Sequence, residues 1–197
     1  PAMAESYVTS AIAAVAQQHP LAKISVRIDR WRQLSAWLIE GVIDFYVADT
    51  AEARHDDRVE CVELPRQKLV WFCRAGHPLC SHPRVTRKEL LQFPLATPTM
   101  PPWGLEWFSA PLADSKVPRT QASLPTVECE SYAMIKRVVL ESDCVGAGLS
   151  GSIDGDLQTG LLEVIEVDAP ELHTSAGIVW IRERDSSPLA DKIVAKI

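Results

Sequence analysis

Apolar residues change their period several times along the chain, and each change marks an element. Over residues 4–18, AESYVTSAIAAVAQQ, Val8, Ile12 and Val15 recur at helical spacing with alanines around them, which predicts a helix. His19-Pro20 ends it, because the residue before a proline is pushed out of the α region. KISVRID alternates and is β-branched, so it reads as a strand. RQLSAWLIE returns to a helical period through Leu34, Trp37 and Leu38. Gly41 follows, a natural residue for the positive φ that closes a helix. IDFYVA is then a strand too apolar for a one-sided sheet. Helix, strand, helix, strand with apolar strands predicts a parallel α/β sheet covered on both faces. One acid breaks this run. Asp44 heads the strand, where its carboxylate is expected to meet free backbone N–H groups at a helix or loop end.

The second half keeps the mixed pattern. VECVELPRQKLVWFC holds two strand-like runs, and GHPLCSHPRV is turn-rich. TRKELLQF reads as a short helix, with Thr86 as N-cap and Glu89 three residues on, a capping box. PLAT is a short strand. The prolines of PTMPPWGLEWFSAPLADSKVP allow only loop and short helix. SLPTVEC reads as a strand, SYAMIKRVVLESD as a helix opened by Ser131, and CVGAGL as a short strand. GLLEVIEV and SAGIVWIRE are strands, SPLADKIVAKI is a closing helix, and no internal repeat appears.

Composition narrows the function classes. A chain of 197 residues, 47% hydrophobic, buries a sizeable core as one domain or two small ones. No apolar run approaches the ~18 residues of a membrane span, and no signal sequence opens the chain. A net charge of −6, with 26 acids against 20 bases, argues against this chain alone gripping a nucleic-acid backbone. The five cysteines, Cys61, Cys73, Cys80, Cys129 and Cys144, are odd in number and irregularly spaced. That is not a secreted disulfide framework, so a reducing compartment, the cytoplasm, is expected.

Candidate chemistry is sparse. CRAGHPLCSH gathers Cys73, His77, Cys80 and His82 within ten residues, but metal sites place their second ligand pair a loop away. Strand plus turn is the expectation, with no metal. GAGLSG matches G-x-G-x-x-G through Gly146, Gly148 and Gly151, yet Gly155 and Gly160 interrupt the helix that a nucleotide motif requires. The glycines are expected to line a strand end facing a cleft, and no cofactor is expected. GLSGS is not a nucleophile elbow, and no pair of acids is spaced for two roles, so no catalytic residue is assigned. RIDRWRQL is more informative. Arg30, Trp31 and Arg32 sit in a loop at a strand's carboxyl end, where open α/β sheets bind ligands. Two guanidiniums and an indole suit an anion with a flat or apolar body.

The segments QQHPLAKISVRI, LIEGVIDFYVAD, LVWFCRAGHPL, VTRKELLQFPLA, MIKRVVLESDCVGAGL, GLLEVIEV and IRERDSSPLADKIV, in this order and separation, resemble the effector-binding domain of LysR-type transcriptional regulators. The resemblance covers nearly the whole chain. It implies two Rossmann-like α/β lobes joined by two crossover strands, like type 2 periplasmic binding proteins, with a small molecule in the cleft. Lobe I would take residues 1–70 and 178–197 and lobe II residues 71–177, with LVWFC and AGIVWI crossing between them. It further implies that the RWR loop lines the cleft, with Ser6 at the start of the first helix and Thr97, Pro98, Thr99 and Met100 on the second lobe's wall. A helix start favours an anion, which Glu5 would oppose and Ser6 would help. The expected ligand is a small carboxylate or similar anion. The first helix would pack against SYAMIKRVVLE of a partner, giving a dimer or tetramer, and DNA would be reached only through an N-terminal winged helix outside this chain. Two features depart from the family pattern. Family domains begin with a strand before the first helix, and Ser142 and Leu149 stand where a glycine turn and a proline are usual. A free-standing solute-binding protein of the same fold, and an enzyme on it, are the alternatives.

Overall fold

The computed structural model describes residues 2–100, 104, 107, 125–173, 176–184 and 186–197, with side chains from residue 7 onward. In chain order the elements are α1 (Ala2–Gln18), α2 (Trp31–Glu40), β1 (Phe45–Asp49), β2 (Val59–Glu63), β3 (Lys68–Arg74), β4 (Val85–Thr86), α3 (Arg87–Leu90), β5 (Leu95–Thr97), β6 (Val127–Glu128), α4 (Tyr132–Leu140), β7 (Val145–Leu149), α5 (Asp154–Gln158), β8 (Leu162–Ile165), β9 (Val167–Asp168), β10 (Leu172–His173), β11 (Ala176–Ile181) and α6 (Pro188–Val194). The chain divides into two compact units, Pro1–Gln67 with His173–Ile197, and Lys68–Leu172. β3, which carries LVWFC, lies in the second unit, and β11, which carries AGIVWI, in the first.

In the first unit β11 lies between β1 and β2 and is antiparallel to both. Successive residues of β11 point to opposite faces, so Ile178 and Val179 serve two separate cores. Val179 packs with Leu34, Leu38, Tyr46 and Val59 under α2, and Ile178 packs with Val8 and Val47 under α1. Ala11 and Val15 carry the α1 face on to Ile193 of α6. Burying each large aliphatic here contributes about 1.5–3 kcal/mol. Helix α2 ends as its sequence predicts: Gly41 has φ 74°, its N–H donates to Leu38 O at 3.1 Å, and Val42 N–H donates to Trp37 O at 2.8 Å. Arg184 closes the same end, with Nη1 on Leu38 O at 2.7 Å and Nη2 on Ile39 O at 3.0 Å.

Three expectations for this unit are corrected. Its sheet is antiparallel, because the strand between β1 and β2 comes back from the far end of the chain. Lys23–Asp29 is not a strand, and no backbone hydrogen bond joins Lys23–Ile28 to any described neighbour. A groove of about 370 Å³ separates it from β1, floored by Ile12, Leu189 and Ile193. Val26 and Ile28 are left 56% and 53% exposed, since an extended segment without a ladder partner has nothing to pack against. Asp44 is exposed and has no hydrogen-bond partner among the described residues, so it caps none of them.

The second unit is a mixed sheet in the order β3-β7-β5-β6, with β8 antiparallel to β3 on its other side. β5 is parallel to both of its neighbours. Val70–Cys73 of β3 and all of β7 are buried, as a strand covered on both faces requires. The capping box at α3 is present: Thr86 Oγ1 accepts from Glu89 N–H, and Glu89 Oε2 accepts from Thr86 N–H at 2.8 Å. Ser131 caps α4. Ser142 replaces a glycine turn with hydrogen bonds, its hydroxyl donating to Val138 O at 2.6 Å and accepting from Cys144 N–H at 3.1 Å. Residues 101–124 apart from Gly104 and Trp107 lie outside the described residues, and the expectation of loop and short helix there falls with them.

Candidate functional site

The order β7-β5-β6 sets up the second unit's candidate site. β6 follows β5 in the sequence and lies on one side of it, and β7 comes next and lies on the other. Strand order therefore reverses at β5. Open α/β sheets leave a ligand crevice beyond the carboxyl end of such a strand. Thr97 is the last residue of β5. Its side chain is fully buried, and its Oγ1 has no hydrogen-bond partner among the described residues. An unmade buried hydroxyl costs about 1–3 kcal/mol, and this one sits at the end of the strand where the order reverses.

The chain after Thr97 bends into Pro98, Thr99 and Met100, all half-buried. Thr99 is held from both ends by acids. Its hydroxyl donates to Glu128 Oε1 at 3.0 Å, and its N–H donates to Glu130 Oε1 at 3.3 Å. Thr97 O accepts from Cys129 N–H at 3.1 Å, which ties β5 to the turn leading into α4. At that helix start Ser131 Oγ accepts from Met134 N–H at 3.3 Å. Met100 packs into the core of the unit. The four residues named from the sequence thus come together, but with unequal parts. Thr97 offers a hydroxyl, Thr99 positions the acids, Pro98 shapes the bend and Met100 packs.

The first unit carries the other candidates. Arg30 supplies the N-cap position of α2 without a side-chain capping bond, and its carbonyl accepts from Gln33 N–H at 2.9 Å and Leu34 N–H at 3.0 Å. Trp31 and Arg32 open the helix. The Arg32 guanidinium lies 4.6 Å from the Trp31 ring centroid and 3.5 Å from Glu52, with three-quarters of its side chain exposed. The indole face is therefore already covered by a cation, so Trp31 and Arg32 act as one stacked pair. Ser6 lies in α1, and its side chain is outside the described residues, as is that of Glu5.

The remaining motifs resolve into packing. Both nitrogens of His77 are engaged: Nδ1 accepts from Leu79 N–H at 3.1 Å, and Nε2 lies 3.2 Å from Asp143 O. The turn cannot lend His77 to a metal without breaking these bonds, and among the described residues no three His, Cys, Asp or Glu side chains gather around a metal-sized space. Gly146 and Gly148 of GAGLSG lie in buried β7 and serve packing, because a Cβ on Gly146 would overlap the Phe72 ring and one on Gly148 would fall on the Tyr132 hydroxyl, whereas Gly151 is exposed in the turn that follows. Sequence reading missed Glu128 and Glu130. The signal was present in VECES, two acids bracketing a strand end just before a helix N-cap, but only the strand pairing places them beside Thr99.

Residues 1–197 match the family model described as the LysR substrate binding domain. The SDS degradation transcriptional activation protein of a Pseudomonas species is 30% identical over 189 residues, which are 93% of this chain and 59% of that protein. The HTH-type transcriptional regulator GbpR of Azospirillum brasilense is 24% identical over 197 residues, 100% of this chain and 57% of that one. The chain thus spans less than two thirds of the length of these relatives. Among solved structures, the effector binding domain of QuiR in complex with shikimate shares the fold at a TM-score of 0.70 and 13% identity, over 98% of this chain and 88% of that one.

Proposed function

The chain belongs to the LysR substrate binding domain family, and from that premise we propose that it senses a small carboxylate on behalf of a longer transcriptional regulator. The observation that carries this reading is the buried, partnerless hydroxyl of Thr97 at the carboxyl end of the strand where the sheet order reverses. A ligand oxygen that pairs with it recovers the cost of leaving it unmade. Arg30 and Arg32 are the proposed source of the preference for an anion. The protein carries a net charge of −6, so the proposed attraction is short-range and comes from a guanidinium rather than from the overall charge. Glu128 and Glu130 repel a bare anion but accept hydrogen bonds from hydroxyls, so a hydroxylated carboxylate fits better than a simple one. Shikimate, the ligand of the QuiR domain, is such a molecule.

No chemical step is proposed. The ligand acts through a difference in its affinity for two states of the domain, and that difference biases the states of the whole regulator. DNA contact is assigned to a segment outside this chain, self-association to a dimer or tetramer supplies the symmetry, and the cytoplasm is the proposed compartment. Thermal shift across small carboxylates, with and without hydroxyls, and their neutral amides tests the reading. Thr97→Val removes the hydroxyl and keeps the shape. It is expected to fold with an unchanged or higher melting temperature and to lose most of the ligand-induced rise. A rise kept in full by the variant means that Thr97 does not touch the ligand.

A further inference from the structure

We propose that Cys73 and Cys80 form an oxidation site that closes to an intramolecular disulfide when a hydroperoxide reaches the turn at Pro78–Ser81. Their sulfurs lie 3.3 Å apart, inside ordinary non-bonded contact. A disulfide needs about 2.0 Å, so the two must approach by little more than 1 Å. Both residues sit in the second unit, on rigid supports. Cys73 is fully buried in β3, and Cys80 is half-buried in a single turn of 3₁₀ helix whose Leu79 is anchored in the core. The turn is braced by His77, which accepts the Leu79 N–H, and by Arg74, paired to Asp143 at 2.6 Å. The other three cysteines have no such thiol neighbour among the described residues: Cys129 Sγ accepts from Ser131 N–H at 3.4 Å and lies 3.5 Å from the thioether of Met134.

Exposure orders the chemistry. Cys80 is the less buried of the two, and burial pushes the Cys73 thiol up, holding it protonated at neutral pH. Cys80 thiolate attacks the outer oxygen of the hydroperoxide. The O–O bond breaks, the departing alkoxide takes from solvent the proton that Cys80 released on ionising and leaves as the alcohol, and Cys80 becomes a sulfenic acid. The Cys73 sulfur then attacks Cys80. The S–O bond breaks, and the hydroxide released takes the Cys73 proton to give water. Two thiols lose one electron each and the peroxide gains two. The bond would staple β3 to the turn that follows it. His77 lies in that turn, in contact with Asp143 O just ahead of β7, so oxidation stiffens the join between two neighbouring strands. Nothing in this inference depends on the ligand reading.

The test treats the folded 197-residue chain with stoichiometric hydrogen peroxide, then unfolds it in the presence of iodoacetamide so that every remaining thiol is blocked, and maps a tryptic digest. The expected result is loss of two of the five alkylatable thiols, and a species joining Leu69–Arg74 to Ala75–Arg84 that dithiothreitol splits. Cys80→Ser should give no such species at the same dose. Cys80 is half-buried, so this variant is expected to fold, and an unchanged melting temperature confirms that it has. Peroxide consumed with five thiols still alkylatable overturns the proposal. So does Cys80 carried to the sulfinic acid with Cys73 still alkylatable, or a cross-link between any other pair.

Discussion

Tyr46 shows how a single side chain carries pH dependence into the fold. Burial under α2 pushes its phenol from an ordinary value of 10.0 up to about 12. The folded state holds the proton more tightly than the unfolded chain. The contribution is therefore complete below pH 10 and fades as pH rises from 10 to about 12. Tyr46→Phe should show a shallower fall of melting temperature over that interval than the parent, and identical slopes would contradict the assignment. Asp56 works with the opposite sign. Three hydrogen bonds from Arg58, at 3.0, 2.9 and 2.7 Å, draw its carboxyl from 3.8 to about 2. Its contribution is present above pH 3.8 and is lost as pH falls through about 2, though the pair is exposed enough to keep it small. Gly148→Ala sets a larger scale. The new methyl would lie on the Tyr132 hydroxyl in a strand with no room to move, so denaturant melts should show a loss of about 3 kcal/mol or more. At this scale the sequence was partly legible. Thr97 was named through the family resemblance, which puts the second lobe's wall at the end of this strand, and its contact with a ligand is what Thr97→Val tests. The reason for Gly146 and Gly148 was not legible, because it lies in Phe72 and Tyr132, which strand pairing brings to them from far along the chain.

Elements whose definition is local were readable from the chain. α2 stops at Gly41 and α3 starts at Thr86 because the deciding atoms lie within a few residues. Gly41→Ala keeps those neighbours but forces a Cβ into a positive-φ conformation, at a cost of about 1–2 kcal/mol. Chemical denaturation of the variant measures it, and an unchanged midpoint would refute the left-handed cap. KISVRID failed because a strand is a pairing and not a local state. Its pattern is right, yet the groove between Lys23–Asp29 and β1 leaves it without a ladder partner. The segment, α2 and β1 follow one another as two outer strands and their crossover, and α1 leads into them. A strand supplied ahead of α1 would take the central place, the 2-1-3 order of doubly wound sheets. Lengthening the chain upstream with a β-branched apolar stretch is therefore expected to raise the melting temperature and to protect the amides of Val26 and Ile28 from hydrogen exchange. Unchanged exchange at both would show that the groove is not a strand site.

For the whole molecule, the mixed α/β architecture was legible because helix and strand periods alternate along most of the chain. The direction of the first unit's sheet was not, because β11 joins it from beyond residue 175. Ala13 and Ala16 of α1 are exposed, whereas Ala11 turns into the core. Among the described residues no helix is long and apolar enough to cross a membrane. The central claim is that the domain binds a small carboxylate and owes that preference to Arg30 or Arg32. Isothermal calorimetry of the parent, Arg30→Ala and Arg32→Ala against hydroxylated carboxylates and their amides tests it most directly. A charge-assisted hydrogen bond contributes roughly 1.5–3 kcal/mol. The account therefore predicts saturable binding of a carboxylate, weaker or absent binding of its amide, and a ten- to hundredfold loss, on the order of that energy, in at least one variant. Equal or tighter binding of the amide, or parent affinity for the carboxylate in both variants, would contradict it.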